Sequence, residues 1–255
     1  MKSEEIIAIL KNNQHEFHPV VPFDPAKDKL LSLDFTTNNN KLTGDILSDT
    51  AKFTSYINNE LAAVNAKYGI GGYAEHRTVY SISKLFDADI YFPSAKNADS
   101  SSPLEWRLRG GVEPRRLHLG IDIWGKPYTK VMAPLNGIIH SYAFNDGFGN
   151  YGVTVILSHS LRGFTFYTLY GHLSRSSIKN IKEGDKVEWG DVFAEFGIPV
   201  ENGHWPPHLH FQIIIDIGEW KGDYPGVCKF SEREKYLNNC PDPDLILQMM
   251  RYTLY

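Results

Sequence analysis

The sequence predicts a mostly β protein: an antiparallel barrel or sandwich, preceded by an α-rich N-terminal region and followed by a short C-terminal helix. Three observations predict it. From Leu117 onward, short β-branched and aromatic runs alternate with glycine-bearing turns. Upstream, apolar residues recur at helical spacing in two segments. Near the end, Pro241-Asp242-Pro243-Asp244 carries a helix-start pattern. The chain therefore divides into an accessory region (1–110), a β domain (111–218) and a tail (219–255) that packs back on it.

The elements follow in order. Residues 3–12 form a helix, with Ser3 as N-cap and Glu4 and Glu5 in the first turn, where acids favour the helix dipole. A second helix covers about 50–68, because Phe53, Tyr56, Ile57, Leu61 and Val64 share one face. Gly69 and Gly71-Gly72 end it. Asn38-Asn39-Asn40 and the stretch Lys96 to Pro103, with Ser100-Ser101-Ser102, read as loops. Strands follow at Gly137-Ile138-Ile139, Gly152 to Leu157, Phe164 to Tyr170, Lys186-Val187, Val192 to Phe196 and His208 to Ile215. Turns separate them at Asp146-Gly147, Arg162-Gly163, Glu183-Gly184-Asp185 and Trp189-Gly190-Asp191. The aromatic residues of the Phe164–Tyr170 strand read as core. Asp242 as N-cap and Pro243 at the first helical position begin a last helix, running to about Met250.

Composition narrows the function. The chain has 255 residues, 42% apolar and 22% charged, enough to bury a core without covalent staples. A net charge of −4 argues against nucleic acid as a partner. No run of eighteen apolar residues occurs, so no membrane span is expected. The N-terminus lacks a signal-peptide pattern, which predicts a cytoplasmic protein, or a periplasmic or secreted one if a leader was removed or export is atypical. Cys228 and Cys240 are too few for a disulfide framework or a zinc knuckle; a single bridge between them is an open alternative, and without an export signal free thiols are the favoured reading.

The chemistry gathers in three places. His208 and His210 are two apart on a strand, so both imidazoles face one way. Alone, they read equally well as surface histidines on an edge strand. His118 and Asp122 are four apart across Gly120. On a flat strand they would lie roughly 13 Å apart, so a shared ion demands a bend, which Gly120 permits. His172 ends the aromatic strand in Tyr170-Gly171-His172-Leu173. Hydrolytic zinc sites use three His or Asp/Glu ligands and leave a position for water. Five candidate groups exceed that need, and the surplus suits proton transfer. Spacing alone does not say which three bind metal.

These motifs resemble the lysostaphin-type zinc metallopeptidases, a family of peptidoglycan endopeptidases. The resemblance covers about 115–216: His118-Leu-Gly-Ile-Asp122-Ile, Met132-Ala-Pro-Leu-Asn-Gly137, Tyr-Gly-His172-Leu, Gly184-Asp-Lys-Val187 and Pro-His208-Leu-His210-Phe. It implies one zinc per chain on His118, Asp122 and His210, with His172 and His208 as catalytic histidines. It also implies a β fold of the duplicated hybrid motif type, with a groove over the sheet for a peptide or peptidoglycan substrate. Where relatives carry small residues before the histidine pair, this chain has Asn202-Gly-His204-Trp205-Pro-Pro207. Trp205 either walls the groove or packs, and His204 reads as an exposed loop residue. In related enzymes an N-terminal segment can cover the groove. Glu75-His76-Arg77 is the one upstream place that offers a ligand, and it reads more simply as a surface triplet.

Two other classes compete. A histidine phosphocarrier would use two facing histidines but has no use for Asp122. A metal-retaining module that binds cell-wall glycan or a partner enzyme would not need both His172 and His208.

Overall fold

The computed structural model describes residues 2–87 and 113–254. The expected domain boundary and the loop at 96–103 lie outside the described residues. Five helices are named here: α1 (Lys2–Asn12), α2 (Gly44–Leu47), α3 (Thr50–Ala63), α4 (Arg233–Asn239) and α5 (Asp244–Leu247). The early strands are β1 (Leu30–Leu33), β2 (Tyr68–Gly71), β3 (Leu117–His118), β4 (Ile121–Trp124), β5 (Lys130–Met132) and β6 (Gly137–Asn145). Next come β7 (Gly152–Leu161), β8 (Phe164–Leu173), β9 (Lys186–Val187) and β10 (Val192–Glu195). The last are β11 (His208–Ile214), β12 (Val227–Cys228) and β13 (Thr253–Leu254).

The protein is mostly β, with one large sheet. Nine strands run in the order β13-β1-β2-β4-β11-β8-β7-β6-β9, and β10-β5 and β12-β3 form two short ladders. Pairing from β2 through β9 is antiparallel, while β1 pairs in parallel with both β2 and β13.

Three expectations need correction. The second helix stops at Ala63, and Tyr68–Gly71 is strand β2 rather than helix end. Tyr68 and Ile70 are buried in the sheet core, and that packing outweighs the helical spacing read upstream. Ser3 lies inside α1, which already includes Lys2, so it does not cap the helix. The last helix is one turn, Asp244–Leu247, because Gln248 takes a left-handed conformation at φ 52°. Asp242 still accepts from the Asp244 amide through Oδ1 at 2.9 Å.

The N-terminal region is not only helical. Strands β1 and β2 extend the large sheet, and β2 pairs directly with β4. Helix α3 is capped by Asp49, whose Oδ1 accepts from the Ala51 amide at 2.8 Å. Its Phe53, Ile57 and Leu61 pack with Phe35, Trp124 and Trp205 beside the groove. At the other end, Ile246, Leu247 and Met249 join Ile6 and Leu10 in the largest core cluster.

Strand β11 organises the site. All seven of its residues are buried. Leu209, Phe211 and Ile213 face the main core, while His208, His210 and Gln212 face the opposite side by strand alternation. The strand has partners on both edges, so the edge-strand reading of the histidine pair fails. No helix among the described residues is long and apolar enough to cross a membrane.

Candidate metal centre and histidine pair

The register of three central strands brings the motifs together. His210 stands opposite Asp122 on β4 and opposite Gly171 on β8. The strand breaks between β3 and β4 at Leu119-Gly120, which is the bend the His118–Asp122 spacing requires. Only glycine fits at 120. A Cβ there would sit 2.5 Å from His210 Cε1 and 2.8 Å from the Phe211 carbonyl oxygen.

Three buried atoms then converge. His118 Nε2 and His210 Nδ1 are 3.0 Å apart, and Asp122 Oδ1 lies 3.3 Å from the first and 3.1 Å from the second. His118, Asp122 and His210 are the one group among the described residues with metal-ligand geometry. Four ligands held tetrahedrally at about 2.0–2.1 Å from zinc stand about 3.3 Å from one another. The observed triangle has nearly that edge.

Hydrogen bonds show which nitrogens point inward. His118 Nδ1 donates to the Gly72 carbonyl at 3.2 Å, which leaves its Nε2 lone pair facing Asp122. His210 Nε2 donates to Gln212 Oε1 at 2.9 Å, so its Nδ1 faces inward. Gln212 is oriented in turn, its Nε2 donating to the Pro225 carbonyl and to Cys240 Sγ, both at 3.2 Å. Two imidazole lone pairs and a carboxylate oxygen thus face one another with no proton between them. A cation satisfies that arrangement, and two nitrogens with one oxygen suit zinc. Asp122 Oδ2 is held separately by Arg77 Nη1.

The other two histidines form a second unit. His172 and His208 lie ring to ring with centroids 4.0 Å apart. Each donates Nδ1–H to a carbonyl, His172 to Asn202 and His208 to Pro206, both at 2.8 Å. Each therefore keeps a free Nε2 acceptor. His208 also stacks on Trp124 at 3.9 Å and 15°. Alternation from Gly171 would turn His172 toward the main core. Its left-handed backbone, φ 62°, turns the ring to the His208 side instead. A non-glycine residue there costs about 1–3 kcal/mol and is held only by its surroundings. The Tyr151 carbonyl accepts the His172 amide at 3.0 Å.

Burial sets the protonation states. It pushes His208 down to about 4 and His118 down to about 3, the latter helped by the nearby Arg77 cation. His172 is also driven well below the usual histidine range by burial, with His208 beside it. Burial raises the Asp122 carboxyl, but His118 and Arg77 outweigh it and hold the group well below the usual range. At neutral pH these three imidazoles are neutral and the carboxylate is charged.

A cleft of about 270 Å³ opens onto the site. Tyr80 and Phe86 line one side, and Tyr151, Trp205 and Tyr224 also border it. Trp205 both walls the cleft and packs in the core, being 4% exposed. His204 is an exposed loop residue stacked near Phe148 and lies outside the ligand group. Glu75-His76-Arg77 is not a surface triplet. Arg77 is 1% exposed and bonded to Asp122, though it is no ligand. Gln212 could have been found from sequence, since it follows His210 by two on the same strand face. Tyr151, whose hydroxyl lies 3.4 Å from His210 Nε2, carried no such signal.

The chain's similarity to known proteins falls on the same segment. Residues 116–221 match the family model described as peptidase family M23. This segment resembles an M23 peptidase domain. The match contains all five residues of the site. Among curated relatives, an L-Ala–D-Glu endopeptidase of Bacillus subtilis is 30% identical over 180 residues, 63% of this chain and 53% of that protein. An uncharacterized metalloprotease of Haemophilus influenzae is 34% identical over 127 residues, 49% of this chain and 24% of that protein. The chain spans about half the length of the first relative and about a quarter of the second. Among solved structures, the catalytic domain of lysostaphin from Staphylococcus simulans is 25% identical and covers 49% of this chain and 81% of its own, at a TM-score of 0.32. A zinc containing peptidase from Vibrio cholerae is 23% identical and covers 42% of this chain and 28% of its own, also at 0.32. Arg77, Tyr80 and Phe86 lie outside the M23 segment, so one wall of the cleft comes from the N-terminal region.

Proposed function

We propose that the protein is a zinc-dependent endopeptidase that hydrolyses amide bonds in peptidoglycan stem or cross-link peptides. The observation that carries this reading is the triangle of His118 Nε2, His210 Nδ1 and Asp122 Oδ1, beside two histidines with free acceptor nitrogens. His118, Asp122 and His210 would hold the ion. Zinc there would supply Lewis acidity, activating water near neutral pH and polarising the scissile carbonyl.

The remaining chemistry belongs to the chain. His172 and His208 are neutral with Nε2 open, so each is set to accept a proton rather than to give one. One takes the proton of the attacking water and, once protonated, returns it to the departing amine. The Nδ1–carbonyl bonds fix both rings during the exchange, and Trp124 holds the plane of His208. The M23 match and the L-Ala–D-Glu endopeptidase relative support a cell-wall peptide as substrate.

The test is digestion of purified peptidoglycan by zinc-loaded protein, with products read by mass spectrometry. New amino termini within stem or cross-link peptides support the reading, and the L-Ala–D-Glu bond named for the Bacillus relative is the first to inspect. Intact wall and intact synthetic stem peptides would remove the substrate assignment. Persistence of binding without cleavage would favour the non-catalytic module.

A further inference from the structure

Arg77 has more partners than a groove wall requires. Its guanidinium is buried, and every nitrogen has an acceptor. Nε donates to Glu75 Oε2 at 2.6 Å, and Nη1 donates to Asp122 Oδ2 and to Tyr80 Oη, the latter at 3.3 Å. Nη2 donates to the Gly72 carbonyl at 3.4 Å, the same oxygen that fixes the tautomer of His118. Glu75 is itself held, its Oε1 accepting from the Phe35 amide at 3.4 Å. The guanidinium lies 5.1 Å from the Phe35 ring centroid.

The fold makes room for this group. Gly71 on β2 stands opposite Asp122 on β4. A Cβ at Gly71 would lie 2.4 Å from Arg77 Nη2, so the guanidinium crosses the sheet where there is no side chain. The segment that carries Arg77 is tied along β3. The Ala74 amide donates to the His118 carbonyl, and the His118 amide to the Glu75 carbonyl, both at 3.0 Å.

Resting on the zinc reading above, we infer that Arg77, balanced by Glu75, is a positioning residue for the metal ligand Asp122 and is supplied by the N-terminal region. With Oδ2 taken by Arg77, only Oδ1 faces the two imidazoles, so Asp122 is held to one-oxygen coordination. Without Arg77 the carboxylate is free to rotate or to offer both oxygens. The pair also accounts for a charge near a cation site: Glu75 offsets the guanidinium, so the site gains its hydrogen bond without an unbalanced positive charge. The M23 segment therefore depends on residues outside it for the geometry of its carboxylate.

Partners of this kind typically change metal affinity 10–100-fold when removed. The test measures zinc dissociation constants by chelator competition on the full chain, together with the visible spectrum of the cobalt-substituted protein. Arg77→Met is expected to weaken zinc about 10–100-fold and to shift the cobalt bands. Arg77→Lys, which keeps the charge but cannot reach Glu75 and Asp122 together, should fall between it and wild type. Glu75→Gln leaves the Asp122 contact in place and should weaken zinc several-fold, and it serves where Arg77→Met does not fold. Zinc affinity and cobalt bands unchanged in these variants, with only the melting temperature lowered, would overturn the inference and leave the zinc reading standing. A wild-type protein that takes up no zinc overturns both.

Discussion

His172 and His208 face each other at 4.0 Å, each with Nδ1 spent on a backbone carbonyl and Nε2 open. In the proposed mechanism these two neutral acceptors, next to a site suited to a cation, divide the work: one group of residues would hold the ion and the other would move protons.

That division is separable by mutation. His172→Ala and His208→Ala should each lower hydrolysis about 10²–10⁴-fold while the protein still binds one zinc. Steady-state cleavage of a stem peptide and metal analysis of the same sample check both halves.

Gly120→Ala should disrupt the metal centre without touching a ligand. The new Cβ meets the His210 ring and the Phe211 carbonyl, and overpacking of this kind costs about 1–3 kcal/mol. Zinc binding should weaken along with folding stability, as read by zinc titration and urea denaturation.

Gln212→Leu should loosen His210. The leucine cannot accept the Nε2–H, and a buried donor left without a partner costs about 1–3 kcal/mol. The expected result is zinc affinity lower by about 10–100-fold, with the cleavage product unchanged at saturating zinc.

Away from the site, His159 sets a pH limit on stability. It is buried between the Asn136 carbonyl, which accepts from Nδ1 at 3.0 Å, and Thr168 Oγ1, 2.7 Å from Nε2. Burial pushes it down to about 4 from a usual value of 6.5. Its folded pKa is depressed, so the unfolded chain binds the proton first as pH falls. Stability is full above about 6.5 and is lost between there and about 4, by on the order of 3 kcal/mol. Urea unfolding of metal-free protein from pH 7 to 4 should show the decline, and His159→Gln should make it shallower by that share, while the buried His118, His172 and His208 keep the rest.

Much of the β region was legible because strand alternation and glycine turns are local signals. The helix at Thr50–Ala63 was legible for the same reason, but its end was not. Tyr68-Gly69-Ile70-Gly71 looks like a helix terminus in sequence and becomes a strand because β4 offers it an edge. All four site histidines and the aspartate stand out by motif, yet their meeting depends on register: His210 opposite Asp122, with Gly120 vacating space for the ring. Arg77 was hidden. Its partner Asp122 lies 45 residues away, and nothing in Glu75-His76-Arg77 itself tells a buried guanidinium from an exposed one.

The central claim is that His118, Asp122 and His210 share one ion. Zinc titration of metal-stripped wild-type protein, run beside His210→Ala and Asp122→Ala, tests it most directly. The account predicts one tightly bound equivalent in the wild type and loss of that binding in both variants. Undiminished uptake by either variant, or none by the wild type, would contradict it.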